Sequence, residues 1–219
     1  MINPKEITDY NRNDWDIQLF FIFCVAVAGN KSKVMARKVQ DLSDGVSEEM
    51  GENPFYETHP METGVLHYLL GFDDVPDFGL NKMKAHKFGK YGQWDKLFTY
   101  FQSMSQGQAF GLSDWLRNAT IQQLERIPSV GKKTSRFFKL HSDPNAECVP
   151  LDTHILKFVR SRHGHDPDYI PKTTPTSIYE YQSIETFALR YMRNYMAQNR
   201  IKTLAEADLA IWTSYAYTK

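Results

Sequence analysis

The chain has 219 residues, 42% of them hydrophobic, and a formal net charge of zero, enough to bury a core as one large domain or two small ones. Its longest apolar run, Leu19 to Ala28, falls well short of the ~20 apolar residues of a membrane span, and the N-terminus lacks the basic-then-apolar order of a signal peptide. Its two cysteines, Cys24 and Cys148, make at most one disulfide, belong to no zinc-type cluster and are too few for a thiolate-bound iron–sulfur cluster, so both read as reduced core residues of a cytoplasmic or nuclear protein.

Helical periodicity runs through nearly the whole chain and no alternating strand pattern stands out, which predicts an all-α fold. Asp14 is positioned to cap a helix through Ala28, and Ser32 to open a second through about Leu42. Residues 43–59, with Gly45, Gly51 and Pro54, read as loop or short helical turn. Apolar spacing predicts a short helix from Met61 to Leu70 ended by Gly71, then helices over Leu80 to Phe88 and Trp94 to Met104. Thr120 and Gln123 have the spacing of a capping box for Ile121 to Arg126. Lys132 to about His141 follows, and the turn-rich Ser142-Asp143-Pro144-Asn145 forms an internal boundary. Asp152 stands where an N-cap belongs for Thr153 to Arg162. A proline-bearing loop from Gly164 to Pro175 leads to Thr176 to Met196, and Thr203 with Glu206 caps Thr203 to Tyr217.

The neutral total hides a segregation of charge. From Asp41 to Asp77 there are ten acids and no Lys or Arg, whereas from Lys82 to Lys139 eleven Lys and Arg stand against Asp95, Asp114 and Glu125. A molecule polarised in this way can present a basic face to phosphates.

The strongest local signal is Ile127-Pro128-Ser129-Val130-Gly131-Lys132-Lys133-Thr134-Ser135, with Asp152 nineteen residues beyond Lys133 in Val149-Pro150-Leu151-Asp152-Thr153-His154. A tight turn running into a helix start exposes successive N–H groups and the positive end of a dipole, which hold a phosphate without reading a base. Lys132, Arg136 and Lys139 are expected to extend that positive surface. The P-loop alternative fails on spacing, because Arg126 stands where its first Gly belongs and Lys133 where its Ser or Thr belongs. Lys133, in the first helical turn beside Lys132 and Arg136, is a candidate amine nucleophile, and Asp152 a candidate proton acceptor and stabiliser of positive charge on a sugar. A phosphate-binding lysine and a plain N-cap aspartate are the structural alternatives. His163-Gly164-His165-Asp166 reads as a polar turn more readily than as a metal site.

Taken together these residues resemble the helix-hairpin-helix DNA glycosylases, a family that includes endonuclease III and the 8-oxoguanine DNA glycosylases. The hairpin follows the family's rough Leu-Pro-Gly-Val-Gly-x-Lys pattern, with Ile127 at the Leu position and a departure at Ser129, where the family has Gly. The Leu151-Asp152-Thr153-His154 segment matches its Val-Asp-Thr/Val-His. The resemblance implies that Lys133 is the Schiff-base lysine, Asp152 the catalytic aspartate and His154 a phosphate contact. It also implies DNA contacts from Pro128, Ser129, Val130, Gly131, Lys132 and Arg136, and a structural cation on the carbonyls of Glu125, Ile127 and Val130. More weakly, Asn30, in the turn after the first helix, matches the residue that fills the gap left by a flipped base; a helix C-cap is its alternative.

The short, cysteine-poor chain resembles the compact, all-helical 8-oxoguanine enzymes, which end in a lysine that aids lesion recognition, as Lys219 would here. Phe137 and Trp212 are candidates to stack on the extruded base and Asp208 to bond its edge, core packing being the alternative for the aromatics. The implied protein is a monomeric base-excision-repair glycosylase and AP lyase acting on damaged double-stranded DNA, needing no cofactor. Its subdomains would be residues 31–141 and residues 1–30 with 142–219, with the lesion site between them. A different lesion, or a non-catalytic helix-hairpin-helix DNA-binding module, are the alternatives.

Overall fold

The computed structural model describes residues 2–3, 6–51, 64–71, 77–105, 111–164 and 169–216, whose regular structure is helical with no strand among them. Among the described residues eleven helices follow one another: α1 (Asp14–Val27), α2 (Ser32–Gly51), α3 (Val65–Leu70), α4 (Phe78–Ala85), α5 (Tyr91–Ser105), α6 (Leu112–Asn118), α7 (Ile121–Arg126), α8 (Lys132–Ser142), α9 (Thr153–Arg162), α10 (Ile178–Asn199) and α11 (Leu204–Ala216). Among the described residues no helix is long and apolar enough to cross a membrane. The chain packs as two compact units, residues 1–7 with 11–130 and residues 8–10 with 131–219.

In the first unit α1 is the central element, packed against α2, α3 and α6. Every residue from Ile17 to Ala26 is buried, as expected of a helix that is apolar all round. Asn13 caps it, its side chain accepting the Asp16 N–H at 2.8 Å, one residue ahead of the expected Asp14. The polar exception inside α1 is Gln18, fully buried. Its Nε2 donates to Ser113 Oγ at 2.8 Å and its Oε1 accepts the His67 N–H at 2.9 Å, tying α1 to α6 and α3. Gly64 leaves the room for that amide, since a Cβ there would lie 2.1 Å from Gln18 Nε2. Gly79 does the same for the α3–α4 contact, where a Cβ would meet the Leu69 carbonyl oxygen at 2.2 Å.

The second unit packs α9, α10 and α11 against one another, with α8 on α11. Between α8 and α9 the buried run Cys148-Val149-Pro150-Leu151 has no regular structure, so its backbone polar groups need side-chain partners. The Glu185 carboxylate accepts the Val149 N–H at 2.9 Å. Tyr181 Oη accepts the Leu151 N–H at 2.8 Å and donates to the Val149 carbonyl at 3.0 Å. Thr174 Oγ1 donates to the Leu151 carbonyl at 2.7 Å. At the C-terminal end Tyr215 Oη lies 2.8 Å from Ser161 Oγ and its ring meets Phe158 edge-on. Cys24 and Cys148 are free and buried, one in each unit.

The capping boxes at Thr120/Gln123 and Thr203/Glu206 both form, and Asp152 caps α9. Other expectations shift. α2 continues through the segment read as loop as far as Gly51, because Met35, Val39, Leu42 and Val46 prolong one buried stripe at helical spacing. Met61 to Thr63 lie outside the described residues. The division into units also differs from the expected one. α1 belongs with the first unit because its partners α2, α3 and α6 are there, and the boundary falls before Gly131 rather than after His141, which places Lys133 and Asp152 in the same unit.

Candidate active site

The chain enters α8 through a turn in which the Val130 N–H donates to the Ile127 carbonyl at 3.1 Å and Ser129 has φ +74°. Proline at the second position and positive φ at the third define a type II turn, which favours Gly where Ser129 stands. A non-glycine residue in the left-handed region costs roughly 1–2 kcal/mol. Ser129 Oγ lies 3.4 Å from the Gln93 carbonyl oxygen, a weak return for that conformation. Gly131, the N-cap of α8, has an ordinary extended backbone, φ −89°, ψ 178°, and a Cβ there would meet nothing within 4 Å. Neither backbone strain nor internal packing requires glycine at 131. Its lack of a side chain leaves the first N–H groups of α8 open to an approaching anion.

Lys133, Phe137 and His141 share one face of α8, spaced four residues apart. Lys132 and Lys133 are half-buried. The Phe137 and His141 rings meet edge-on at 4.8 Å between centroids. Arg136 faces the other way and departs from expectation. It is 4% exposed, its Nε donates to both Glu185 oxygens at 2.8 and 3.0 Å, and its guanidinium lies 4.4 Å from the centre of the Tyr181 ring. Its charge is therefore neutralised inside the second unit and neither extends a DNA-binding surface nor acts as an uncompensated neighbour of Lys133. Lys139 is likewise buried, 2.9 Å from Asp143.

Asp152 is delivered to the start of α9 by the pinned 148–151 run. Its Oδ1 accepts the His154 and Ile155 N–H groups, both at 2.8 Å, which is the capping role in full. Its other oxygen has no hydrogen-bond partner among the described residues. His154 packs edge-on against Trp212 at 5.4 Å, and its Nδ1 is buried without a hydrogen-bond partner among the described residues. Buried polar atoms of this kind are rare in folded proteins and mark places where a ligand group or water completes the bonding.

Two residues that the sequence does not single out complete the cluster. His141 is fully buried, with Nδ1 2.7 Å from Thr8 Oγ1 and Nε2 3.3 Å from Asp208 Oδ2. Burial pushes the Asp208 carboxyl above the usual Asp range, the hydrogen bond and charge of His141 pull it back, and the nearby charges of Asp152 and Lys133 act on it in opposite directions. Asp208 thus faces inward onto His141 rather than outward to a base edge, and the expected edge contact is corrected on that ground. Lys133, Asp152 and Asp208 stand on α8, at the start of α9 and on α11 of the same unit. The regular spacing of Lys133, Phe137 and His141 was the available sequence signal for His141. Nothing local pointed to Thr8.

Asn30 lies in the first unit and is exposed. It ends α1 by donating its Nδ2 to the Ala26 carbonyl at 2.8 Å, after Gly29 at φ +75°, so the C-cap geometry is present. Among the described residues no group of three or more His, Cys, Asp or Glu is placed to hold a metal. Of the three hairpin carbonyls implied as cation ligands, that of Ile127 already accepts the Val130 N–H. His163 stacks on Tyr169 with Nδ1 3.1 Å from Tyr191 Oη, while His165, Asp166 and Lys219 lie outside the described residues. Compared with known proteins, the chain matches no family model, no curated protein and no solved structure.

Proposed function

We propose that this protein is a base-excision-repair DNA glycosylase with AP-lyase activity, acting on an oxidised base, 8-oxoguanine, in double-stranded DNA. The observation that supports it best is that Lys133, in the first turn of α8, and Asp152, at the cap of α9, stand in one compact unit in which the buried His141–Asp208 contact joins α8 to α11. In this reading α7, the strained turn and α8 work as a helix-hairpin-helix, with the open N–H groups beside Gly131 holding a backbone phosphate. The damaged nucleotide is flipped out because C1′ is inaccessible in the stack. The Lys133 amine attacks C1′, the glycosidic bond breaks and its electron pair leaves with the base. Asp152, through the oxygen not used in capping, takes a proton from the substituted amine and stabilises positive charge on the sugar. The proton passes from Asp152 to O4′ as the sugar ring opens to the Schiff base, and loss of the C2′ proton to water then expels the 3′ phosphate.

Phe137 and Trp212 supply the aromatic surfaces beside the site, and the unpaired His154 Nδ1, in the tautomer that carries its proton there, donates to a phosphate oxygen. A gap-filling role for Asn30, a lesion contact from Lys219, a cation on the hairpin carbonyls and a monomeric state rest on the family resemblance. One observation favours the non-catalytic alternative: Asp152 caps α9 through Oδ1, as a structural residue would.

Borohydride trapping on duplexes that each carry one defined lesion separates these readings. An 8-oxoguanine-dependent adduct that vanishes in Lys133→Ala is expected. An adduct that persists in that variant rules out Lys133 as nucleophile, and preference for thymine glycol moves the substrate to oxidised pyrimidines. Asp152→Asn preserves capping ability and is expected to keep DNA binding while losing excision; no adduct from any lesion leaves only the DNA-binding module.

A further inference from the structure

Two stretches of the first unit contain no acid at all, residues 26–40 with Lys31, Lys33, Arg37 and Lys38, and residues 78–94 with Lys82, Lys84, Lys87 and Lys90. The fold brings them together. Lys38 Nζ donates to the Lys87 carbonyl, and Lys90 Nζ donates to the Ala28 carbonyl at 2.5 Å, at the end of α1. Each of these ammonium groups retains further N–H donors after making one such bond. Lys31, Lys87 and Lys90 are exposed, and none of them forms an ion pair among the described residues.

Backbone conformation marks the same place. Five described non-glycine residues have positive φ, and three of them, Lys87 at 54°, Lys90 at 50° and Ser129 at 74°, gather around the first turn of α5. Gly89, between the two lysines, has φ +74° as well. A loop that had only to turn would favour Gly or Asn at all three of its left-handed positions. Lysine at two of them retains charge at the expense of backbone ease, and such strain tends to collect where a segment meets a ligand.

We propose that Lys31, Lys87 and Lys90 form a second contact surface for the phosphate backbone of duplex DNA, beside the strained turn at Ser129 and independent of the α8 helix start. The proposal rests on the reading of DNA as substrate and names a further part of the protein that holds it. The surface is sequence-independent, because lysine offers a point charge to phosphate and no base edge is read.

The test is binding of undamaged duplex by the full chain across a salt series. Lys31→Gln/Lys87→Gln is the informative variant, since neither side chain carries a tertiary hydrogen bond among the described residues; Lys90→Gln is kept as a third step because Lys90 also ties the loop to α1. Each lost phosphate contact is expected to lower the slope of log affinity against log salt by about 0.9, so the double variant loses about 1.8. Lys172→Gln, exposed on the second unit, is expected to leave the slope unchanged. A double variant with the parent slope, or one that loses the same slope on single strands as on duplex, overturns the proposal. Catalysis is scored separately: a normal slope change in a protein that forms no trapped adduct sinks the glycosylase reading and leaves this surface standing.

Discussion

The two units bury different chemistry. Among the described residues, the buried polar side chains of the first unit are the neutral Gln18, Ser43 and Ser113, whereas the buried set of the second includes Arg136, Lys139, His141, Glu185 and Asp208. A satisfied amide inside an apolar helix bundle fixes how three helices meet, and little else is asked of it. Buried charges cost desolvation that paired partners only partly return, so they are weak evidence of stability and good evidence that something else is being held. Here they hold the 148–151 run that presents Asp152, and the His141–Asp208 contact behind Lys133.

The contrast can be broken most forcefully at Glu185. Glu185→Ala leaves Arg136 buried without its carboxylate and the Val149 N–H without its acceptor, and is expected to destabilise the chain by about 3–5 kcal/mol in urea unfolding. Gln18→Leu, the corresponding lesion in the first unit, orphans the His67 N–H and removes the amide that donates to Ser113 Oγ, and is expected to cost about 1–3 kcal/mol. Equal losses at the two sites would erase the distinction between the two interiors.

A pH series sharpens it next. Because burial raises the Asp208 carboxyl above its unfolded value, the folded chain binds a proton there that the unfolded chain has already released. Stability contributed by this group therefore falls as pH rises from the ordinary Asp range through the folded value, by at most about 1.4 kcal/mol per pH unit. Asp208→Asn does not titrate, so the stability of the parent relative to this variant is expected to decline over that window; a difference independent of pH would refute the inward-facing Asp208.

The smallest effect is expected at the hairpin. Ser129→Gly relieves the left-handed strain and is expected to stabilise by about 1 kcal/mol, with a higher thermal midpoint as the readout. Destabilisation instead would show that the Oγ contact to Gln93 outweighs the backbone conformation.

Helix starts were legible because their signals are local. Thr120/Gln123, Thr203/Glu206 and Asp152 each find their partners within three residues. The extent of α2 was not, because glycines and acids in residues 43–51 outweigh, in a local reading, a buried stripe that only the packed unit makes visible. At the site, Lys133 and Asp152 stood out as residue types in a pattern. The fate of Arg136 did not, because its partner Glu185 is 49 residues away and an arginine on a helix carries no mark of which way it faces. The strain at Ser129 was legible as a condition, serine where the turn wants glycine, and the backbone angle meets that condition.

The chain's only two cysteines carry a practical consequence. Both thiols are buried, and burial drives Cys148 up to about 12 and Cys24 well above its ordinary value, so neither offers a thiolate to an alkylating reagent in the folded state. The native protein is a silent background for thiol labelling. A single cysteine introduced at an exposed position of either unit accepts one fluorophore at one known place, with no native cysteine to remove first.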